Sequence, residues 1–245
     1  MEQLRFLGDD RIGTRCTYCG LDFDSRDHIP SRVLLDEPYP SNLPVVPACS
    51  ECNSGFSLDE EYVACLVECA RVGAVESVER PKIRRILATK PALAAALHSA
   101  KAVHGQEVSF SIESDRLKNV ILKLARGHAL YELAESAYGM RPTIAAVPIG
   151  TISPAILEAF ESPVVMDVVP EIGSRAMQRI QVASVRLAPL GKGGPERVAN
   201  LFVQPGWIDV QPERYRYMAA VGSCGQIIVR IVLSEYLACE VLWTT

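Results

Sequence analysis

The fold of the N-terminal quarter is decided by residues 16–53, which read CTYCGLDFDSRDHIPSRVLLDEPYPSNLPVVPACSECN. One Cys-x-x-Cys pair begins this stretch and a second lies at its end, directly before Asn53. The residues between the pairs include five prolines and too little apolar material to fold alone. We therefore expect a metal ion held by four thiolates to stabilise the segment, and we assign its ligands. They are Cys16, Cys19, Cys49 and Cys52.

The composition of the whole chain favours a globular protein in a reducing compartment. The chain has 245 residues, 49% of them hydrophobic and 22% charged, which are ordinary proportions for a folded domain. It begins without a basic region followed by an apolar run, and its apolar stretches are too short to span a bilayer. We expect a cytoplasmic protein without disulfides. The other four cysteines (Cys65, Cys69, Cys224 and Cys239) are predicted to be buried small hydrophobes.

Charge is distributed unevenly along the chain. Residues 1–77 carry 6 basic and 14 acidic side chains, whereas residues 78–128 carry 10 basic and 4 acidic ones. The basic block could hold a polyanion next to the proposed metal site, or it could be a solvated helix face. Four residues of this block are the candidate phosphate contacts: Arg80, Lys82, Arg84 and Arg85.

Periodicity and capping patterns predict an α+β fold with two domains. Ser57 to Glu60 has the pattern of a capping box and is predicted to open a helix that runs to about residue 72 and ends at Gly73. Helices are expected over 80–103, starting at Pro81 and Pro91, and over 114–138, with Lys123 mostly off the apolar stripe. Further strands are predicted at 108–112, 163–169, 177–187, 198–204, 214–221, 226–233 and 236–243. We place the domain boundary so that residues 1–75 form the metal-binding domain and residues 76–245 an α+β accessory domain.

Between the cysteine pairs the chain resembles the HNH endonuclease family. The resemblance is carried by the first cysteine pair, by RDHIP at residues 26–30, by SNL at residues 41–43, and by VPACSECN at residues 46–53. It covers roughly residues 10–65, and it implies a zinc-stapled ββα-metal finger of treble-clef-like form. The helices and the C-terminal antiparallel sheet would follow this finger.

The resemblance also implies a role for four side chains. His28 matches the general base that takes a proton from the attacking water, and Asp27 matches the acidic ligand of a catalytic divalent cation. Asn42 matches the central asparagine that orients the loop and the base. Asn53 matches the second metal ligand, a position that is often histidine. An asparagine there binds through a neutral carbonyl oxygen, which suits Mg²⁺ or Mn²⁺ better than zinc.

The same residues have simpler interpretations that the sequence leaves open. Taken alone, Asp27 and His28 could be a surface loop pair, and Asn42 could be a turn residue in a proline-rich loop. Arg214 to Tyr217 alternates charge with aromatic side chains, as in a half-buried strand or in a surface that stacks bases. Asp27 and His28 are adjacent, so they can reach one phosphate only at a strand end or a turn.

Three functions follow from these patterns. The favoured one is a metal-dependent endonuclease that hydrolyses phosphodiester bonds of nucleic acid, with double-stranded DNA as the expected partner, a structural Zn²⁺ and a catalytic Mg²⁺ or Mn²⁺. The second is a non-catalytic zinc finger that binds nucleic acid or protein. The third is an enzyme whose active site lies in the C-terminal region. That region is assigned, as a hypothesis, to substrate choice or to homo-oligomer formation.

Overall fold

The chain folds into helices and antiparallel sheets, so the α+β class is confirmed. The computed structural model describes residues 12–105, 107–166, 169–188, 197–204 and 206–244. The first eleven residues of the predicted metal-binding domain lie outside the described residues. Within the described ranges, no helix combines the length and the apolar character needed to cross a membrane.

The cysteine segment (residues 16–56) contains two short strands and one short helix. Strand β1 (Ser25–His28) pairs antiparallel with β2 (Val45–Ala48), and Asp27 lies opposite Val46. Helix α1 (Ser50–Gly55) follows β2 directly. Single 3₁₀ turns lie at Ile12–Thr14 and Arg32–Leu34.

Four helices form the middle of the chain, and most of their ends follow the predicted signals. Helix α2 (Ser57–Val72) ends at Gly73, whose φ of 82° is accessible to glycine at little cost. Proline occupies the first turn of both α3 (Pro81–Thr89) and α4 (Pro91–Ala100). Helix α5 (Ser114–His128) continues into a π-helical turn at Ala129–Leu133.

The capping-box prediction for α2 is wrong. Phe56 is the residue that caps the helix, and no side chain makes a capping hydrogen bond there. The Glu60 carboxylate instead accepts hydrogen bonds from Ser31 and Lys123, both distant in sequence. A buried cation outcompetes the local backbone N–H groups for this carboxylate, because charge-assisted hydrogen bonds are the stronger ones.

The C-terminal half is built mainly on a five-stranded antiparallel sheet. Its strands are β5 (Pro142–Pro148), β9 (Ile208–Gln211), β10 (Tyr215–Val221), β11 (Ile227–Leu233) and β12 (Leu237–Trp243). They lie in the order β5-β12-β11-β10-β9. Two of these strands, β5 and β9, were not predicted from the sequence, and neither was α6 (Pro154–Glu161).

Two smaller antiparallel sheets complete the fold. One pairs β3 (Lys101–His104) with β4 (Glu107–Phe110). The other contains β6 (Val165–Met166), β7 (Gln181–Leu187) and β8 (Arg197–Val203), in the order β6-β8-β7. The predicted strand over 177–187 is wrong in its first part, because residues 175–179 form the short helix α7 (Arg175–Arg179), which Ser174 caps.

One large apolar core connects the cysteine segment to the rest of the chain. It contains Leu34 and Leu43 from the segment, side chains of α2 and α5, and the inner face of the five-stranded sheet up to Trp243. A smaller core lies around the cysteines and includes Tyr18, Ile29 and Tyr131. Cys65, Cys69 and Cys239 are buried as predicted, whereas Cys224 is exposed in the turn between β10 and β11.

Candidate functional site

The four predicted cysteine ligands come together. The Sγ atoms of Cys16, Cys19, Cys49 and Cys52 all lie within 4.8 Å of one another, and Cys19 and Cys49 are 3.8 Å apart. A tetrahedral zinc site with Zn–S bonds of about 2.3 Å separates its sulfurs by about 3.8 Å. The cluster could therefore hold a metal ion such as zinc, and it is the one such group of His, Cys, Asp or Glu within the described ranges.

Backbone hydrogen bonds fold each cysteine pair around this centre. The first pair turns back at Gly20, whose N–H donates to the Cys16 carbonyl, and φ there is 71°. In the second pair, the Cys49 sulfur accepts from the N–H of Cys52 at the start of α1. Burial raises the pKa of the Cys16 thiol, but hydrogen bonds with the backbone at Cys19, Cys49 and Tyr18 outweigh burial and lower it to about 7. In the same cluster, burial and contacts with Cys49 and Cys19 raise the pKa of Cys52, so Cys16 loses its proton more readily than Cys52 does.

A polar pocket of about 270 Å³ lies beside the cysteine segment, and it brings three of the four predicted catalytic residues together. Asp27 and His28 reach it from the end of β1, and Asn53 reaches it from α1. Its remaining lining residues are Ser31, Arg32, Val33, Ser57, Glu60 and Glu61. Most of these groups offer oxygen atoms, which magnesium and manganese prefer as ligands.

Asp27 is nearly buried, and its contacts favour one of its two oxygens. The Tyr18 hydroxyl donates to Oδ2 at 2.6 Å, and the Lys123 ammonium lies 2.7 Å from the same atom. Burial and the neighbouring Asp27 raise the pKa of Tyr18 well above its usual value, so its hydroxyl stays a donor. Oδ1 takes part in neither contact and is the oxygen left to face a ligand in the pocket.

His28 is half-buried and electrically neutral at physiological pH. Partial burial, together with the positive charges of Arg32 and Lys123, lowers its pKa below the ordinary value despite the opposing effect of Asp27. The Arg32 guanidinium lies 3.2 Å from Nε2. Arginine can only donate, so Nε2 is the acceptor nitrogen of the neutral ring and Nδ1 carries the hydrogen.

The two asparagines differ in their placement. The Asn53 Nδ2 donates to Ser25 Oγ at 3.4 Å and to the Arg26 carbonyl at 3.3 Å, which assigns its amide orientation and leaves Oδ1 for a ligand. Asn42 is exposed in the turn before β2 and is not among the residues that line the pocket. Its predicted catalytic role has no counterpart in this arrangement.

The predicted phosphate contacts divide into two pairs. Arg80 is buried and its Nε lies 2.5 Å from Asp36, while Lys82 donates to the carbonyls of Arg32 and Leu35 and to the Tyr39 hydroxyl. Both side chains are thus engaged within the protein. Arg84 and Arg85, one turn further along α3, are exposed. Two of the four predicted phosphate contacts therefore bind carboxylate or carbonyl oxygens of the protein itself.

Lys123 contacts residues of the pocket, and this role was not predicted from the sequence. Lys123 was predicted to lie mostly off the apolar stripe of α5, yet only 2% of it is exposed. It contacts Asp27, Glu60 and Ser31. A usable signal was its position between Val120, Ile121 and Leu124, all buried, because a lysine there must find a partner.

Comparisons with protein-family models, with curated proteins and with solved structures returned no match. The resemblance to the HNH family rests on the sequence motifs quoted above.

Proposed function

We propose that this chain is a metal-dependent endonuclease of the HNH type that hydrolyses phosphodiester bonds in nucleic acid, with DNA as the substrate. The observation that carries the proposal is the shared pocket of Asp27, His28 and Asn53 beside the four-cysteine cluster. These residues come from two elements, β1 and α1. An imidazole, a carboxylate oxygen and an amide oxygen in one pocket are the groups that metal-assisted hydrolysis requires.

The proposal assigns separate roles to two metal ions. Four thiolates leave no open coordination position, so zinc on the cysteines would be structural. A divalent ion held by Asp27 Oδ1 and Asn53 Oδ1 would neutralise charge on the phosphate and on the leaving oxygen. The amide orientation of Asn53 supports this ligand set, because its nitrogen already donates to Ser25 and Arg26.

His28 is suited to accept a proton from water. Its lowered pKa favours the neutral ring at pH 7, and Nε2 is the nitrogen that carries the lone pair. The Arg32 guanidinium occupies that lone pair in the present arrangement. A bound phosphate would offer Arg32 a stronger partner and release Nε2 for catalysis.

A plasmid cleavage assay tests the proposal. The protein is incubated with supercoiled plasmid in Mg²⁺, Mn²⁺ or chelator, beside the variants His28→Ala and His98→Ala. His98 is an exposed histidine that contacts Glu76 and is not among the residues that line the pocket. Its variant is therefore a matched control. We expect cleavage that depends on the divalent ion, that His28→Ala lowers at least about 100-fold, and that His98→Ala leaves unchanged.

The zinc content of each variant is measured alongside activity. If His28→Ala retains zinc, its loss of activity results from the missing imidazole and not from unfolding of the cysteine segment. Equal cleavage by wild type and His28→Ala would contradict the proposal, and so would intact plasmid and intact RNA with every ion tested.

A non-catalytic zinc finger is the second candidate, and one observation favours it. The ion pair between Asp27 and Lys123 already accounts for the burial of Asp27 without any divalent ion. On this alternative the protein would bind nucleic acid or another protein through the exposed face of the segment. Retention of labelled DNA by the zinc-loaded protein in buffer free of Mg²⁺ and Mn²⁺, without cleavage when either ion is added, would support it.

A further inference from the structure

We propose that Lys123 is a positioning residue of the candidate site, and that the site is therefore completed by a helix outside the cysteine segment. This inference rests on the proposed function, since it concerns how Asp27 is presented to a divalent ion. Lys123 lies on α5, 96 positions after Asp27 in the sequence. Only 2% of Lys123 is exposed.

The surroundings of the ammonium are made of oxygen atoms. Its Nζ lies 2.7 Å from Asp27 Oδ2 and 2.7 Å from Ser31 Oγ, and it also contacts Glu60 Oε1. Three acceptors match the three N–H donors of a lysine. The cation is thus fully satisfied, and it has no donor left for bulk water.

This contact determines which oxygen of Asp27 is left for a ligand. Tyr18 and Lys123 hold Oδ2 from two directions, so the carboxylate cannot rotate without breaking two hydrogen bonds. A ligand oxygen held this way needs no reordering when an ion arrives. Ser31 and Glu60 in turn hold the ammonium, and the Ser31 hydroxyl donates to the same Glu60 oxygen.

Electrostatics and positioning must be separated in the test, because removing Lys123 alone also removes a positive charge beside the ion. The double variant Lys123→Met/Glu60→Gln loses one charge of each sign and keeps the formal charge of the site. Glu60→Gln alone is measured beside it, because Glu60 also lines the pocket, and the effect of Lys123 is the difference between the two variants. Replacing a buried ion pair with neutral groups of similar volume is often tolerated by the fold. Lys118→Met, an exposed position on the same helix, is the matched control.

The measurement is Mn²⁺ binding to the zinc-loaded proteins, followed by electron paramagnetic resonance of the free ion, beside plasmid cleavage kinetics. We expect the Mn²⁺ affinity and the cleavage rate of the double variant to be roughly 10–100-fold lower. This is the usual effect of removing a group that orients a metal ligand. KM for plasmid, zinc content and the Lys118→Met protein should stay at wild-type values. Wild-type Mn²⁺ affinity in the double variant would overturn the inference while leaving the proposed function intact.

A measurement on the wild type alone covers the case in which the double variant does not fold. Mg²⁺ is titrated into zinc-loaded protein while the Cε–Hε NMR signals of Lys123 and Lys118 are followed. We expect the Lys123 signal to shift in saturable fashion and the Lys118 signal to stay in place. Saturable Mg²⁺ binding without a Lys123 shift would refute the positioning role, whereas an absence of Mg²⁺ and Mn²⁺ binding would refute the proposed function itself and this inference with it.

Discussion

His128 is a fully buried histidine at the end of α5, and it illustrates how one side chain couples stability to pH. Its Nε2 pairs with the Tyr215 hydroxyl at 2.8 Å, and its ring stacks on Tyr217 with 3.6 Å between ring centroids. Burial lowers its pKa well below the ordinary value of 6.5. The folded protein therefore holds this ring neutral at pH values where an unfolded chain would protonate it.

The sign of the effect follows from proton uptake. Between the two pKa values the unfolded state binds one more proton than the folded state, so the free energy of unfolding falls as pH falls. Below pH about 6.5 the loss approaches about 1.4 kcal/mol per pH unit from His128 alone. We expect His128→Phe to be less stable than wild type at pH 7.5, because Tyr215 loses its partner, but to lack this part of the slope, so that the difference shrinks as pH falls.

Urea unfolding of wild type and His128→Phe at pH 7.5, 6.5 and 5.5 measures the difference between the two slopes. Protonation of the zinc ligands and of His28 affects both proteins alike and cancels in the comparison. Parallel pH profiles would show that His128 does not titrate on unfolding in this range.

At the same scale, the sequence was informative about residues that act through a local pattern. Within each pair the two cysteines lie three positions apart along the chain, so the ability of a pair to bind one ion is a local property that spacing reveals. Lys123 could not be assigned in the same way. Its partners Asp27, Ser31 and Glu60 lie 63 to 96 positions away, and only the packing of α5 against the cysteine segment brings them within reach.

At the level of elements, Gly127 determines how closely α5 approaches the cysteine segment. A Cβ atom at this position would lie 2.6 Å from Cδ1 and from Cγ1 of Ile29. Ile29 is completely buried and directly follows His28, so it has little space into which to retreat. A glycine inside a helix costs stability by itself, and the role of Gly127 in the fold is to allow this contact.

We expect Gly127→Ala to lower the free energy of unfolding by about 1–3 kcal/mol through overpacking, less a gain of up to about 1 kcal/mol from helix propensity. Gly55→Ala, at the end of α1, is the control because no atom lies within 4 Å of the added methyl group. Denaturant unfolding of the two variants measures the difference. A Gly127→Ala protein as stable as Gly55→Ala would mean that Ile29 can move aside freely.

Elements with strong end signals were predictable, and elements without them were not. The starts of α3 and α4 at Pro81 and Pro91 and the end of α2 at Gly73 came from residues whose backbone preferences dominate locally. Strand β5 contains two alanines and is bounded by proline at both ends, so alternation alone gave no clear signal. Residues 177–179 lie just before β7, but capping by Ser174 favours a helical turn there.

At the scale of the whole molecule, Asp36 joins three distant parts of the chain. Its Oδ1 accepts from Arg80 at the start of α3, and its Oδ2 accepts from Arg214 just before β10, both at 2.5 Å. Gln211 in β9 bonds the Asp36 backbone at both its N–H and its carbonyl. Together with the shared apolar core, these contacts attach the cysteine segment to the helices and to the five-stranded sheet.

We expect Asp36→Ala to lower the free energy of unfolding by about 1.5–3 kcal/mol, because it removes hydrogen bonds to charged groups and leaves the buried Arg80 without its carboxylate. Glu37→Ala is the neighbouring control, since Glu37 is exposed and contacts only the Tyr39 hydroxyl among the described residues. Thermal unfolding of both variants compares them. If Asp36→Ala and Glu37→Ala had the same melting temperature, the apolar core alone would connect these parts.

Both tryptophans of the chain lie in the C-terminal half, one fully buried at the end of β12 and one beside Phe160 and Arg216. Intrinsic fluorescence excited at the indole band therefore reports on the five-stranded sheet and its surroundings, and it is silent about the cysteine segment. Loss of metal from that segment, followed with a chromogenic zinc indicator, should proceed with little change in emission until the sheet itself comes apart. A single sample thus carries two optical reporters, one for each end of the molecule.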